Sequence, residues 1–579
     1  MINVCLVCKA MEAVALPLLY HDVHLDLLDA KPTKATSGLL SSTNAGLALI
    51  RNLIINEEQG VADAMAGECC YTALLVLSVM PRDTLRSFCS NIYYPPQILD
   101  DLSSILIQHQ RVLETIRVTM LSSEVFFQNF CRFQHAGIDR LRHIECSPSE
   151  AIDVASHQPA SLGLYCTVRP KLETLDLVLE TIKVKGVEFA TGDDLALATS
   201  LFFERFVRAA QPPPGSTQQG IYSTPERPFP ALRRLGLRYG CVGGPAAPMM
   251  CRAFSTTQLT SLTLQHCCCI APLLKLLAAD QGLLLKHLVI ITEEIGTAAG
   301  ASTKELLDLL LGGFGSLETL MLSIAQRQNP PLETDRMPSV WAIGQHSATL
   351  KVLSLDFTNE HYDLVHFRIL GRILTKLEQL SLVFSPFDIK DYYQPHNSDD
   401  AEHILSASMR ALAALPRLVT LHVRRLPKTA WLQCHLDNTD PRNIFTTTYT
   451  LELLSTLCFR NIFNGKPLKV LAWGNLASFR PGGLNCLWLQ PPPDGTHDCD
   501  SWRSMQVFTR SEKHDLVGGI DVVASVPKGR LRYHEPAVEV LNVVVPVKGF
   551  LRFGQAGLCC KRAVGAVYMH PTRANMPCP

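Results

Sequence analysis

Cysteine and histidine are the side chains with which this sequence is best equipped for chemistry, and three places bring them close together. Cys5-x-x-Cys8 has the spacing of half a zinc site. A structural zinc takes four ligands, commonly from a second pair some residues on, and the next cysteines are Cys69 and Cys70. On a helix, Cys5 and Cys8 share one apolar face with Val4 and Met11, so both are expected in a core. His266 stands beside Cys267, Cys268 and Cys269, a run that suggests a soft-metal cluster or a nucleophile. The residues after it open a helix, and packing in the core is the stronger reading. His497, Cys499 and Asp500 lie in a stretch rich in Pro, Gly and Asp, which reads as a loop. No catalytic, cofactor-binding or metal residue is assigned.

Other chemistries lack their signatures. The chain has no G-x-x-x-x-G-K-S/T phosphate loop, no G-x-S-x-G elbow, no H-E-x-x-H and no G-x-G-x-x-G after a strand. Gly312-Gly313-x-Gly315 and Gly240-x-x-Gly243-Gly244 punctuate loops and open no suitable helix. The expectation is a protein that is not an enzyme and needs no cofactor; an enzyme with an unrecognised site is the alternative of another class. Lys and Arg number 53 against 53 Asp and Glu, so no global field draws the chain to nucleic acid or to an anionic membrane. The 20 cysteines among 579 residues are scattered and often adjacent, unlike the disulfide framework of a small secreted chain. There is no Asn-x-Ser/Thr acceptor, no secretory leader and no apolar run long enough to span a bilayer. These features place the protein, by expectation, inside the cell, in cytoplasm or nucleus.

The elements that would position any site come from a repeat. The pattern apolar-x-x-apolar-x-apolar recurs at Leu172-Leu175-Leu177, Leu232-Leu235-Leu237, Leu259-Leu262-Leu264, Leu285-Leu288-Ile290, Leu317-Leu320-Leu322, Leu350-Leu353-Leu355 and Leu377-Leu380-Leu382. Weaker copies stand at Ile50-Leu53-Ile55, Leu113-Ile116-Val118, Leu141-Ile144-Cys146, Leu418-Leu421-Val423 and Leu484-Leu487-Leu489. From Leu232 the copies are 27, 26, 32, 33, 27 and 41 residues apart; the step of 60 from Leu172 to Leu232 reads as one repeat lengthened around Pro212-Pro213-Pro214. The last two apolar residues alternate, so they share one face of a short strand. Helical spacing precedes the strands at Thr303–Leu311, ended by Gly312-Gly313, at Pro272–Leu277, at Asp194–Ala209 and at His403–Leu415. One helix and one strand cannot bury both apolar faces alone, but a parallel stack of such units can. The predicted fold class is therefore α/β, a solenoid of helix–strand repeats with a parallel sheet on its concave face. An irregular α/β fold with a parallel sheet is the alternative.

Leu259-x-x-Leu262-x-Leu264-x-x-Cys267 resembles the core of the leucine-rich repeat, with Cys267 where that family carries an inward-turning Asn or Cys. The resemblance spans about 45 to 490, and repeats of 26 to 41 residues look most like those of fungal F-box proteins. Val4-Cys5-Leu6-Val7-Cys8-Lys9 followed by Ala15-Leu16-Pro17-Leu18-Leu19-Tyr20 and then His21 to Leu25 resembles the second half of an F-box and its exit into a first strand. The opening Leu-Pro helix of an F-box would precede Met1, so 1–30 reads as a partial F-box, with Leu6, Val7, Cys8, Pro17, Leu18, Leu19 and Tyr20 as its residues. The resemblance implies an adaptor of an SCF-type cullin–RING ubiquitin ligase, which binds the ligase's linker subunit and cullin at one end and a protein substrate on the repeats. A leucine-rich-repeat scaffold with no ubiquitin role is the alternative among binding proteins.

If the triplets are strands, the residues between their leucines face the groove. The middle row is Asp176, Gly236, Thr263, Val289, Met321, Ser354, Ser381 and His422; Arg234 and His287 belong to the row before it, and Arg238, Ile291 and Arg424 to the row after. The expected partner-binding residues are Arg234, Arg238, Thr263, Gln265, His287, Val289, Ile291, Met321, Ser354, Asp356, Gln379 and His422. The apolar Val289, Ile291 and Met321, with the two arginines, are the expected hot spot. After Gln490-Pro491-Pro492-Pro493 the repeat breaks. Residues 491–554 read as a β-rich cap, with strands near Val522–Val526 and Val538–Val547, and 555–579 as a disordered tail.

Overall fold

The second leucine of each triplet lies on a strand beside the second leucine of the next triplet, and this lateral alignment organises the molecule. The structure, a computed structural model, describes residues 9–27, 39–41, 44–57, 63–90, 96–118, 140–146, 151–152, 171–179, 183–184, 192–209, 229–280, 282–292, 295, 302–324, 336–357, 360–384, 404–424, 451, 454–473, 506–514 and 520–523. The strands are β1 (Asp22–Leu27), β2 (Asn52–Glu57), β3 (Ser87–Ser90), β4 (Thr115–Val118), β5 (His143–Cys146), β6 (Ala151–Ile152), β7 (Thr174–Val178), β8 (Lys183–Val184) and β9 (Arg234–Arg238). They continue as β10 (Ser261–Gln265), β11 (His287–Thr292), β12 (Thr319–Ile324), β13 (Val352–Phe357), β14 (Gln379–Leu382), β15 (Thr420–Val423), β16 (Val470–Trp473), β17 (Gln506–His514) and β18 (Ile520–Val523). Apart from β6 and β8, which pair with each other, all lie in one sheet in chain order. Every neighbouring pair from β1 to β16 is parallel; β17 and β18 turn back antiparallel at the far edge.

Register is held across the whole stack. Leu53, Phe88, Ile116, Ile144, Leu175, Leu235, Leu262, Leu288, Leu320, Leu353, Leu380, Leu421 and Leu471 stand side by side, all buried. One backbone device repeats at each step. The carbonyl just before a strand accepts two N–H groups from the next rung, as Lys286 O does from Glu318 and Thr319 at 2.7 and 2.9 Å, and Glu318 O from Lys351 and Val352 at 2.9 and 3.0 Å. The lateral offset is thereby fixed whatever the length of chain between rungs. This is why β7 and β9 pair directly across 60 residues.

Helices form the second layer. They are α1 (Lys9–Tyr20), α2 (Asp63–Val79), α3 (Pro96–His109), α4 (Gly192–Ala209), α5 (Ala246–Ala253), α6 (Ala271–Ala279), α7 (Thr303–Gly312), α8 (Val340–Gly344), α9 (Leu364–Ile373) and α10 (Ile404–Leu412). Their starts are chemically marked. Ser302 and Glu305 form a reciprocal capping box on α7, Ser339 caps α8 and Asp363 caps α9. Consecutive helices α4 to α10 touch in sequence. The contact between α9 and α10 needs a glycine: a Cβ on Gly371 of α9 would fall 2.3 Å from the Ala411 carbonyl oxygen of α10. Strand and helix leucines merge into one core from Leu25 to Trp473.

The four expected helices are present. The sheet starts upstream of the 45–490 span, at Asp22. Two rungs lacked a recognisable triplet: Leu85-Phe88-Ser90 on β3, and Leu468-Leu471-Trp473 on β16. Trp473 is fully buried and its indole N–H donates to Ser455 Oγ at 2.8 Å. β17 and β18 both fall in the 491–554 span, and β18 covers the start of the strand expected near Val522–Val526. Leu6, Val7, Cys8, His497, Cys499, Asp500, the triplet from Leu484, Val538–Val547 and the 555–579 tail lie outside the described residues. Among the described residues no helix is long and apolar enough to cross a membrane.

Candidate functional site: the open face of the sheet

Alternation sends one set of strand side chains into the helix layer and the other to the opposite face. All twelve residues expected at a partner-binding surface lie on that opposite face. Arg234 and Arg238 are on β9, Thr263 and Gln265 on β10, and His287, Val289 and Ile291 on β11. Met321 is on β12, Ser354 and Asp356 on β13, Gln379 on β14 and His422 on β15. Register brings them into continuous rows, such as Thr263–Val289–Met321–Ser354.

Their accessibility is not what the rows suggest. Met321 is 3% exposed and Val289 6%, so the centre of the expected apolar hot spot offers little surface. Strands stand about 4.8 Å apart, and side chains of this size on adjacent rungs cover one another. Thr263, Gln265, His287, Ile291, Asp356 and Gln379 are half-buried and Arg234 is exposed.

Two polar networks occupy the same face. In the first, Glu145 on β5 lies between two arginines, 3.0 Å from Arg238 and 3.7 Å from Arg117 on β4. Asp176 on β7 is its neighbour in register. The next rung has no side chain: a Cβ on Gly236 would sit 1.8 Å from Asp176 Oδ1. Burial, reinforced by the Glu145 charge, lifts the Asp176 carboxyl to about 6 against the pull of Arg238, Arg117 and Arg234. Arg238 is thus a partner of Glu145 rather than a free anchor. Arg117 and Glu145 were not on the expected list, although the weak triplets at Leu113 and Leu141 carry them to the same rows.

In the second network Arg424 reaches across three rungs. Its Nε donates to Ser381 Oγ at 2.8 Å, and its other nitrogens to Ser354 Oγ and Asp356 Oδ2, both at 2.7 Å. Ser381 Oγ also lies 2.9 Å from His422 Nδ1, a nucleophile–base distance. The pair is shielded, with His422 at 0% exposure, and a lone pair of Ser381 Oγ is taken by the arginine. We read it as a fixed polar brace. Burial holds His287 down from its usual range against the opposing pull of Glu318, with Arg234, Lys286 and Lys351 adding to the lowering, and its Nδ1 lies 3.1 Å from Thr319 Oγ1.

Away from this face the cysteine run divides. Cys267 turns inward, its thiol donating to the Leu237 carbonyl at 3.4 Å, and burial pushes it up to about 12. Cys268 and Cys269 are only half-buried and gather with Cys241. At the N-terminal end, α1 carries Pro17, Leu18, Leu19 and Tyr20 and leaves Val14 and Leu18, one turn apart, 69% and 63% exposed. An open groove of about 580 Å³ is lined by Leu40, by Tyr71, Leu74 and Leu75 of α2 and by Ile105 of α3, among others. No protein-family model matches the chain, and no curated protein matches it.

Proposed function

We propose that this chain is a leucine-rich-repeat solenoid of F-box type, which holds a protein substrate on its open sheet face and presents it to an SCF-type cullin–RING ubiquitin ligase. The observation that carries the reading is the in-register stack of parallel strands in chain order with one face left to side chains of mixed polarity. Strands repeat at about 4.8 Å whereas packed helices need 8–10 Å, so one helix per strand bends such a stack with the strands inside. The resulting surface is long, shallow and nearly neutral, which suits a protein epitope better than a small molecule. Val14 and Leu18 support the second half of the reading, because they form a solvent-facing apolar pair on the helix of the F-box-like segment itself, where a helical subunit would dock.

Reconstitution tests it. The purified chain is mixed with recombinant linker subunit and cullin, and complex formation is read by size-exclusion chromatography. The expected result is co-elution, lost in Val14→Asp/Leu18→Asp. Absence of co-elution with both subunits removes the ligase role. Co-elution that the double substitution leaves intact moves the contact elsewhere.

A further inference from the structure

Cys241, Cys268 and Cys269 place their three sulfurs within 4.8 Å of one another. We propose that they form a binding site for one thiophilic d10 metal ion, zinc(II) or copper(I). The argument starts with how the loops are held. Past the ends of β9 and β10 the backbones stay paired: Tyr239 N–H donates to Gln265 O at 2.9 Å, Cys268 N–H to Gly240 O at 2.9 Å and Val242 N–H to Cys268 O at 3.1 Å. Cys241 and Cys268 are themselves partners in a parallel bridge. Two thiols are therefore set side by side by main-chain bonds.

The third is brought in by backbone that side chains seldom accept. Cys269 has φ +54°, and the residues that begin the two loops, Tyr239 and His266, have φ +58° and +52°. Apart from these three, only Asp83 among the described non-glycine residues has positive φ. Such conformations persist where surrounding structure imposes them and concentrate at functional sites. The Tyr239 and His266 rings stack with centroids 5.0 Å apart, which fixes the two turns against each other. Gly243 completes the space: a Cβ there would meet Cys269 Cβ at 2.7 Å.

The distances suit a metal. Thiolates bound at about 2.3 Å to one ion lie roughly 3.8–4.0 Å apart, so the sulfurs need to close by less than about 1 Å. Three sulfur donors match copper(I), and with a water as fourth ligand they match zinc. Cys267 is excluded from the set by its backbone contacts and burial. On binding, each S–H bond breaks heterolytically, a sulfur–metal bond forms, and the proton passes to buffer, with no change of oxidation state.

The test uses the full chain, reduced and stripped of metal. Zinc(II), cobalt(II) as its coloured surrogate, and copper(I) are titrated separately. The expected result is one ion per chain, with thiolate-to-cobalt charge-transfer absorption and a raised melting temperature. Cys241→Ser/Cys269→Ser should lose all three signals while its metal-free melting temperature stays close to that of the parent, and Cys251→Ser should keep them. Cys269→Ser alone provides the same reading if the double variant does not fold. Binding of zinc or of copper only identifies the ion. Binding that survives loss of these thiols, no binding at all, or a Cys241–Cys268 disulfide formed in air by a reduced protein that takes no metal overturns the proposal.

Discussion

Replacing Asp176 with Asn should stabilise the protein at neutral pH and leave it unchanged in acid. The side chains are isosteric, so the Gly236 space is respected and only the charge is removed. In the unfolded chain the carboxyl titrates near 3.8, whereas in the fold it titrates at about 6. Below the lower value both states hold the proton and the group contributes nothing. Between the two, the fold holds a proton that the unfolded chain has lost, so stability falls as pH rises; above about 6 the full cost is present. At 1.36 kcal/mol per pKa unit, a displacement of about two units sets a ceiling of roughly 3 kcal/mol. Hydrogen exchange of the β5, β7 and β9 amides, compared between parent and variant at each pH, reads this locally without requiring two-state unfolding. Protection should match at pH 3.5 and favour the variant by one to two orders of magnitude at pH 7. A variant less protected at pH 7 would mean that Asp176 is ionised and stabilised by Arg238 and Arg117, and the reasoning would fail.

Three further outcomes follow from the packing. Arg424→Ala removes the arginine's hydrogen bonds to Asp356, Ser354 and Ser381 and its ion pair with Asp356 and should cost about 3 kcal/mol, measured as lost protection over β13 to β15. Met321→Glu buries a charge on the open face and should lower the melting temperature by several degrees, whereas Thr263→Glu, at a half-buried position two rungs away in the same row, should leave it nearly unchanged. Gly371→Ala should destabilise the contact between α9 and α10 by about 1–3 kcal/mol, read by thermal melts, because the added carbon meets a main-chain carbonyl that cannot rotate away.

The rungs were legible where leucine fills both strand positions, since alternation is a direct consequence of the pleat. They were hidden where another residue does the same work. Ser90 and Trp473 are buried at the third triplet position, and neither reads as the small aliphatic residue the pattern demands. The rows of the open face followed from the same alternation and are in place. How much of each side chain reaches solvent did not follow, because Met321 and Val289 are covered by neighbours on adjacent rungs that lie about thirty residues away in sequence. Polar partners shared the difficulty. Arg238 meets Glu145 two rungs back, and Arg424 spans back to β13. The same lateral bookkeeping exposes a charged stripe just upstream of the strands, where Arg142 pairs with Glu173 at 3.1 Å and Glu318 with Lys286 and Lys351 at 3.4 and 2.8 Å. The cysteine cluster had a readable signal: Cys241 and Cys268 are separated by 27 residues, the same step that separates Leu232 from Leu259.

The proposed role of the open face is to hold another protein. A photo-crosslinking amino acid placed in cells at Thr263 or Gln379 on that face, and in parallel at the exposed Leu309 or Trp341 on the helix side, tests this directly. The expected result is a discrete protein adduct from the first two positions and none from the last two. Adducts confined to Leu309 or Trp341 would place the partner on the helix side and contradict the proposed role.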